Sequence, residues 1–252
     1  MALRYFEELD STMSKARELC GTGDAGTFFG VLADRQSAGR GRIAGRTWEA
    51  APGKALLLTL ALKDSEASFP ALPLKAGLAA YDTFVVYGAD LAVKWPNDLL
   101  ARPRGAEGRW KKMAGILCER TGGWTLVGLG ANLFEGAFPA DMEDQGTSLE
   151  ACTLLPLAAI SPSSLSWRLS LCRAFGEAFL AHLGDQDWHK KYLQRMWGLS
   201  SYVGFRIGHP SAQEVRKGII AGIDGEGSLL IQDASGLIAA YGSGEIETLR
   251  PA

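Results

Sequence analysis

Gln36-Ser37-Ala38-Gly39-Arg40-Gly41-Arg42-Ile43-Ala44-Gly45-Arg46-Thr47-Trp48 reads as a flexible cationic loop that ends on a large aromatic ring. Gly39, Gly41 and Gly45 open backbone conformations that other residues avoid. Arg40, Arg42 and Arg46 carry permanent positive charges on forked donors. Such a loop suits closing over an anion that must be kept from water. Thr27–Ala33, apolar and rich in Phe, reads as a buried strand that delivers the loop at its C-terminal end. Trp48–Lys54 reads as a turn, and Ala55–Leu62 as a second buried strand.

Working outward, Leu3–Leu9 predicts a short strand, and Asp10-Ser11-Thr12 offers caps for a helix over Met13–Cys20. Ser11 and Thr12 are either caps alone or hydroxyls that face a ligand at the same helix end. Pro70–Gly88 has apolar residues at helical spacing (Leu74, Leu78, Tyr81, Val85) and a C-terminal stop at Gly88. Leu91–Val93 predicts a short strand running into Lys94-Trp95-Pro96-Asn97-Asp98, with Leu99 and Leu100 continuing it. Arg102–Lys111 looks like a hairpin connection. Lys112–Arg120 and Trp124–Leu133 predict strands around a Gly122-Gly123 turn. Glu135–Ser148 is a loop, and Leu165–Leu183 and Gln186–Gly198 are helices. Tyr202–Ile207, Val215–Ile223, Ser228–Gln232 and Gly236–Tyr241 are short strands, which suggests a small β-barrel appended to an α+β domain. The expected division is 1–199 and 200–252.

The chain has 252 residues, 47% of them hydrophobic and 21% charged, enough for a sizeable core and unlike a disordered chain. A net charge of -2 gives no global basic field, so a nucleic-acid role would need a local patch. Asp34 and Glu49 flank the arginine loop, which disfavours that role. Cys20, Cys118, Cys152 and Cys172 form no C-x-x-C pair, so no zinc site is visible. The N-terminus lacks a signal-peptide core, and the apolar run Ala55–Leu62 is far too short to span a bilayer. A soluble, cytoplasmic protein with reduced thiols is the expectation.

Three further stretches carry chemistry. In Lys94-Trp95-Pro96-Asn97-Asp98, proline ends the ladder and restricts the residue before it. An ammonium, an amide and a carboxylate gather there, either to hold a phosphate and a magnesium ion or as a plain Asx turn. In Lys112-Met-Ala-Gly115, a glycine within a strand often marks close approach to a ligand. A regular strand would point Lys112 away from Gly115, and a bend or bulge could redirect it. Gly128-Leu-Gly130-Ala-Asn132 lacks the third glycine of a dinucleotide fingerprint. Two strand glycines still admit a flat ligand, with Asn132 able to bond a base. His182, His189 and His209 lie away from these stretches and read as surface or structural residues.

Taken in order, Asp10–Thr12, Gln36–Arg42, Lys94–Asp98, Lys112–Leu117 and Gly128–Asn132 resemble the biotin protein ligases. The resemblance continues through Gly222-Ile-Asp224 and Gly244-Glu-Ile246. It implies a mixed-sheet α+β catalytic domain followed by an SH3-like β-barrel. It also implies an ATP-dependent ligase that forms biotinyl-5′-AMP and transfers biotin to a lysine of a biotin carboxyl carrier domain, with Mg²⁺ as cofactor. By the same resemblance, Ser11, Thr12 and Gln36 bind biotin's ureido ring, while Gly39, Arg40 and Gly41 cover the biotin and Gly115 lies on its side of the site. Arg42 and Lys112 hold the reacting carboxylate and α-phosphate. Arg46 assists with phosphates, Trp48 packs beneath the loop at the ATP side, Asn97 and Asp98 support the phosphate and metal region, and Asn132 contacts adenine. The metal's ligands are not assigned.

Two departures stand out. Met13, counted by position with the biotin-binding residues, follows the Ser-Thr pair where the family commonly has Asn, and the loop is one residue longer before Arg46. The catalytic pattern starts near residue 1, so a ligase without DNA binding is expected, with neither nucleic-acid nor membrane partners. Homodimers occur in the family. A lipoate or octanoate transferase shares the fold, but the arginine loop and the Lys-Trp-Pro-Asn-Asp string resemble the biotin branch. A biotin-binding protein of weak activity is the remaining alternative, for which Met13 is the one hint.

Overall fold

The computed structural model describes residues 1–22, 26–43, 45–63, 71–105, 109–153, 155, 157, 164–206 and 215–247. Its main sheet holds β1 (Ala2–Leu9), β2 (Phe28–Gln36), β3 (Ala55–Lys63), β4 (Leu91–Lys94), β5 (Asp98–Ala101), β6 (Lys111–Thr121) and β7 (Trp124–Asn132). Their order is β1-β2-β3-β7-β6-β5-β4. The β1–β2 pair is parallel and the other pairs are antiparallel, so the sheet is mixed as expected.

The continuous apolar run of β3 suits a central strand covered on both faces. One face carries Leu56, Leu58 and Leu60 against α2 (Ala71–Val85) and α4 (Leu165–Gly184). On the other, α1 (Thr12–Thr22) packs Met13, Ala16 and Leu19 on Phe29, Val31, Ala61 and Leu126. Strand alternation puts a row of small residues on this second face. Leu57 pairs with Gly130, Gly130 with Gly115 and Gly115 with Asp98; beside that row, Thr59 pairs with Gly128 and Gly128 with Leu117. The result is a shallow trough across four strands.

Several expectations need correction. Leu99 and Leu100 do not continue β4: the chain reverses at Trp95-Pro96-Asn97, Lys94 pairs with Asp98, and the two short strands form a hairpin. The helix expected over Gln186–Gly198 is confined to α5 (Trp188–Arg195). Met196 leaves it to bridge Val93, and Trp197 N donates to Val93 O at 2.8 Å, which covers the sheet edge at β4. The loop over Glu135–Ser148 contains a 3₁₀ turn at Ala140–Met142, and the short helix α3 (Leu149–Cys152) follows it. Pro70, Ala44, Gly108, Ile207 and His209 lie outside the described residues.

The C-terminal part is a five-stranded antiparallel sheet of β8 (Tyr202–Arg206), β9 (Val215–Ile223), β10 (Leu229–Gln232), β11 (Ile238–Tyr241) and β12 (Glu245–Glu247), in the order β11-β10-β9-β8-β12. β11 and β12 are its edges among the described residues. Val203, Phe205, Ile220, Leu229 and Ile246 bury against the same apolar core as the main sheet. Trp95 Nε1 donates to Gly227 O at 3.1 Å, pinning the Trp-Pro-Asn turn to this sheet.

Candidate active site

The arginine loop is folded into a small hairpin arm over the trough. Arg40 bridges Thr47, Gly41 N donates to Arg46 O at 2.8 Å, and Trp48 N donates to Gly39 O at 3.0 Å. Gly39 has to be glycine, because a Cβ there would lie 2.2 Å from the Trp48 carbonyl oxygen. The arm lays the Trp48 indole onto the glycine row. A Cβ at Gly130 would come within 2.5 Å of the ring and one at Gly115 within 3.0 Å. These strand glycines therefore do admit a flat group, and the group in place is the protein's own indole.

On the α1 side stands a hydrogen-bonding wall. Thr12 N and Thr12 Oγ1 donate to Gln36 Oε1 at 2.7 and 2.9 Å. Ser11 and Thr12 are both buried. Ser11 O accepts from Lys15 N at 3.0 Å, so the helix starts one residue before the expected Met13. Met13 fills the hollow at Gly128, with its sulfur 3.1 Å from where a Cβ would stand. It forms an apolar floor beside the polar wall. Arg40 reaches across to Ser14 Oγ at 3.4 Å.

Lys112 turns into the trough because of a bulge. Leu99 pairs with Ala114, but Leu100 pairs with Lys112, so Met113 is the extra residue of β6. Met113 is fully buried, and Lys112 joins the face of Gly115, its Nζ 3.2 Å from that residue's Cβ position. Nζ lies 2.7 Å from Asp98 Oδ1 and 5.6 Å from the Trp48 ring centroid. Asn97 holds its turn against β6: its Nδ2 donates to Ile116 O and Ile116 N donates to Asn97 O, both at 2.8 Å. From the loop, Arg42 Nη2 donates to Gly244 O at 2.9 Å, a contact with the C-terminal sheet.

Two spaces adjoin here. A cavity of about 60 Å³ is lined by Ser11, Thr12, Met13, Gln36, Arg40, Gly41 and Gly115. A cleft of about 990 Å³ is lined by Arg46, Lys94, Asp98, Asn132, Trp110 and Trp197 among others. Arg42, Trp48, Asn97 and Lys112 line both. Gly39 stands behind the loop, hydrogen-bonded to Trp48. Asn132 is buried, and its Nδ2 donates to Thr147 O at 3.1 Å. Its Oδ1, like Trp48 Nε1, is a buried polar atom without a hydrogen-bond partner. A buried polar atom without a partner calls for an explanation, and these two differ from most others among the described residues in lining the cleft, where they are open to a ligand group.

Among the described residues no three or more His, Cys, Asp or Glu side chains form a metal cluster. No described helix is long and apolar enough to cross a membrane. All four cysteines are free thiols. His182 is buried, as a structural histidine should be.

Thr59, Trp110 and Trp197 are not among the residues expected at the site, and Gly244 entered only through the Gly244-Glu-Ile246 match, with no contact to Arg42 foreseen. Thr59 carried a signal, being the lone polar residue in the run Ala55–Leu62. The tryptophans carried none, since tertiary packing alone brings them to the cleft.

A family model described as the biotin/lipoate A/B protein ligase family matches residues 5–132, and one described as the biotin protein ligase C-terminal domain matches 209–249. The chain is 31% identical to a biotin–[acetyl-CoA-carboxylase] ligase of Paracoccus denitrificans, over 90% of this chain and 92% of that protein. It is 29% identical to the ligase of the same name from Mycobacterium tuberculosis, over 87% and 79%. Its fold is similar to that of the Aquifex aeolicus biotin protein ligase solved with biotin and ATP. There the TM-score is 0.75 and the identity 24%, over 98% of this chain and 97% of that one.

Proposed function

The chain belongs to the biotin/lipoate A/B protein ligase family, and on that premise we propose that it is a biotin–[acetyl-CoA-carboxylase] ligase. It makes biotinyl-5′-adenylate from biotin and ATP, then passes the biotinyl group to a lysine of a biotin carboxyl carrier domain. The observation that carries this reading is the pair of adjoining spaces sharing Arg42, Trp48 and Lys112. One has a polar wall and an apolar floor, as a ureido ring on a hydrocarbon chain requires. The other is large, sets Arg42, Arg46, Lys94 and Lys112 among the carboxylates Glu49, Asp98, Asp141 and Asp144, and is edged by an unpartnered amide oxygen, a mixture that suits a polyphosphate with its metal ion.

In the first step a biotin carboxylate oxygen attacks the α-phosphorus, a P–O bond forms, and the bond to the leaving pyrophosphate breaks. Both reactants are anions, and two unit charges about 4 Å apart interact by roughly 4 kcal/mol at an effective dielectric near 20. Lys112 and Arg42 stand at the junction to offset that repulsion, with Arg46 on the phosphate side. In the second step the acceptor amine attacks the acyl carbon, the C–N bond forms, AMP leaves and the amine loses a proton. The loop arm shields the mixed anhydride from water until the acceptor arrives.

The donor set suits Mg²⁺, which typically keeps several waters and binds through substrate phosphates and one or two carboxylates rather than a protein cage. Asp98, beside Lys112, would be the carboxylate to hold it among those lining the cleft, and the ion would neutralise phosphate charge. The division into a catalytic body over 1–199 and a C-terminal part over 200–252 and a cytoplasmic location belong to the same reading.

Incubation with ATP, Mg²⁺, biotin and an apo carrier domain tests it. Mass spectrometry should find one biotinyl group on the carrier, dependent on ATP. Bound biotin with no modified carrier would leave a binding protein, and modification with lipoate alone would move the chain to the other branch of the family.

A further inference from the structure

Thr59 is fully buried in the middle of β3, the single hydroxyl in an otherwise apolar segment. A hydroxyl buried there costs free energy unless it finds a partner. Its partner is Thr12, with Thr59 Oγ1 2.9 Å from Thr12 Oγ1. Thr12 Oγ1 lies 2.9 Å from Gln36 Oε1, and Thr12 N lies 2.7 Å from the same oxygen.

The directions of these bonds are fixed by chemistry. A backbone N–H only donates, so the Gln36 atom facing Thr12 N is the carbonyl oxygen. That oxygen only accepts, so Thr12 Oγ1 gives it its one proton. Thr12 then has only a lone pair for Thr59, and Thr59 is the donor. The relay runs one way, Thr59 to Thr12 to Gln36, and leaves Gln36 Nε2, beside Gly39, as the free donor end of a side chain that lines the small cavity.

We propose that Thr59 is a positioning residue for biotin: by saturating Thr12 it locks the Gln36 amide with its NH₂ toward the ligand, so that the site selects a ring presenting a carbonyl acceptor. This rests on the ligase reading and adds to it a residue outside the cavity lining that sets ligand specificity. Without the Thr59 proton, the Thr12 hydroxyl is free to rotate, and the Gln36 amide loses one of the two bonds that orient it.

The test compares wild type, Thr59→Val, which keeps shape and removes the hydroxyl, and Thr59→Ser, which keeps the hydroxyl. KM for biotin, KM for ATP, kcat and the melting temperature are measured for each, with 2-iminobiotin as a competing substrate. That analogue carries a protonated imino donor in place of the carbonyl. Thr59→Val is expected to raise KM for biotin roughly tenfold, the scale of one lost oriented hydrogen bond, with KM for ATP unchanged. Its preference for biotin over 2-iminobiotin should shrink, and Thr59→Ser should restore both. An unchanged biotin KM and preference in Thr59→Val overturns the inference. So does a joint shift of both KM values and kcat that serine does not rescue, which would make Thr59 merely structural. A wild type that modifies no carrier overturns the ligase reading itself, whereas an active wild type with an indifferent Thr59→Val overturns only this step.

Discussion

Lys112 reaches Asp98, with Nζ 2.7 Å from Oδ1, only because β6 carries one extra residue opposite β5. Without that bulge Lys112 would share the face of Ala114 and Ile116, inside the apolar core. The bulge places the ammonium at the junction of the two spaces, where the proposed reaction joins its substrates. Replacing Lys112 with Met should lower biotin-dependent ATP–pyrophosphate exchange by about a hundredfold or more, the scale for removing one donor from a developing charge. Biotin binding by calorimetry should change little. Because the substitution leaves Asp98 without its lysine, the melting temperature of Lys112→Met serves as the control for the fold. A small and equal loss in exchange and in binding would remove Lys112 from the chemical step.

Arg42 links the loop arm to the C-terminal sheet through the Gly244 carbonyl. Arg42→Gly removes both that tie and a cation beside the adenylate. Adenylate should then escape faster, and lysines of an unrelated bystander protein should become biotinylated. Retention of the adenylate at the wild-type rate in a filter-release assay would show that the arm closes without this arginine.

Asn132 presents a single acceptor to the cleft. Thr147 O can only accept, so the amide atom facing it is the NH₂, and Oδ1 is left as the buried partnerless end. The N6 amine of adenine satisfies it, while guanine sets its O6 carbonyl at that same position. ATP should therefore be preferred over GTP by about two orders of magnitude or more in kcat/KM, because a buried polar mismatch is costly. Asn132→Ala should narrow that ratio, chiefly by raising KM for ATP. A ratio near one in the wild type would remove Asn132 from base recognition.

The fold was legible where pattern and burial agree. The apolar run of β3, the Gly122-Gly123 turn and the Gly88 stop each sit where their chemistry puts them, with Gly88 at φ +75°. The hairpin at Trp95-Pro96-Asn97 was not legible, because proline announces a bend but not its angle. The early end of α5 follows from the sheet edge at Val93, a tertiary demand that no local propensity encodes. At the site, the glycines and cations announced themselves by residue type. Their mutual placement depended on the bulge at Met113 and on Trp48 lying over Gly130, and both depend on pairing register rather than composition.

Asp82 gives a pH dependence outside the site. It joins α2 to α4 and α5, with Oδ2 2.6 Å from His182 Nε2 and Oδ1 3.2 Å from Arg195 Nη2. Burial pushes its carboxyl up, but the His182 hydrogen bond and the charge of Arg195 together outweigh burial and hold it below its ordinary value. A carboxyl held low in the folded state stabilises the fold above its unfolded value, about 3.9. That contribution is lost as the pH falls through the lower folded-state value. Asp82→Asn should therefore be less stable than wild type near neutral pH, and the gap should close on acidification below about pH 4. Urea unfolding midpoints of both proteins across that range measure it. A gap that stays constant with pH would mean that the carboxylate charge contributes nothing and that packing alone holds these helices together.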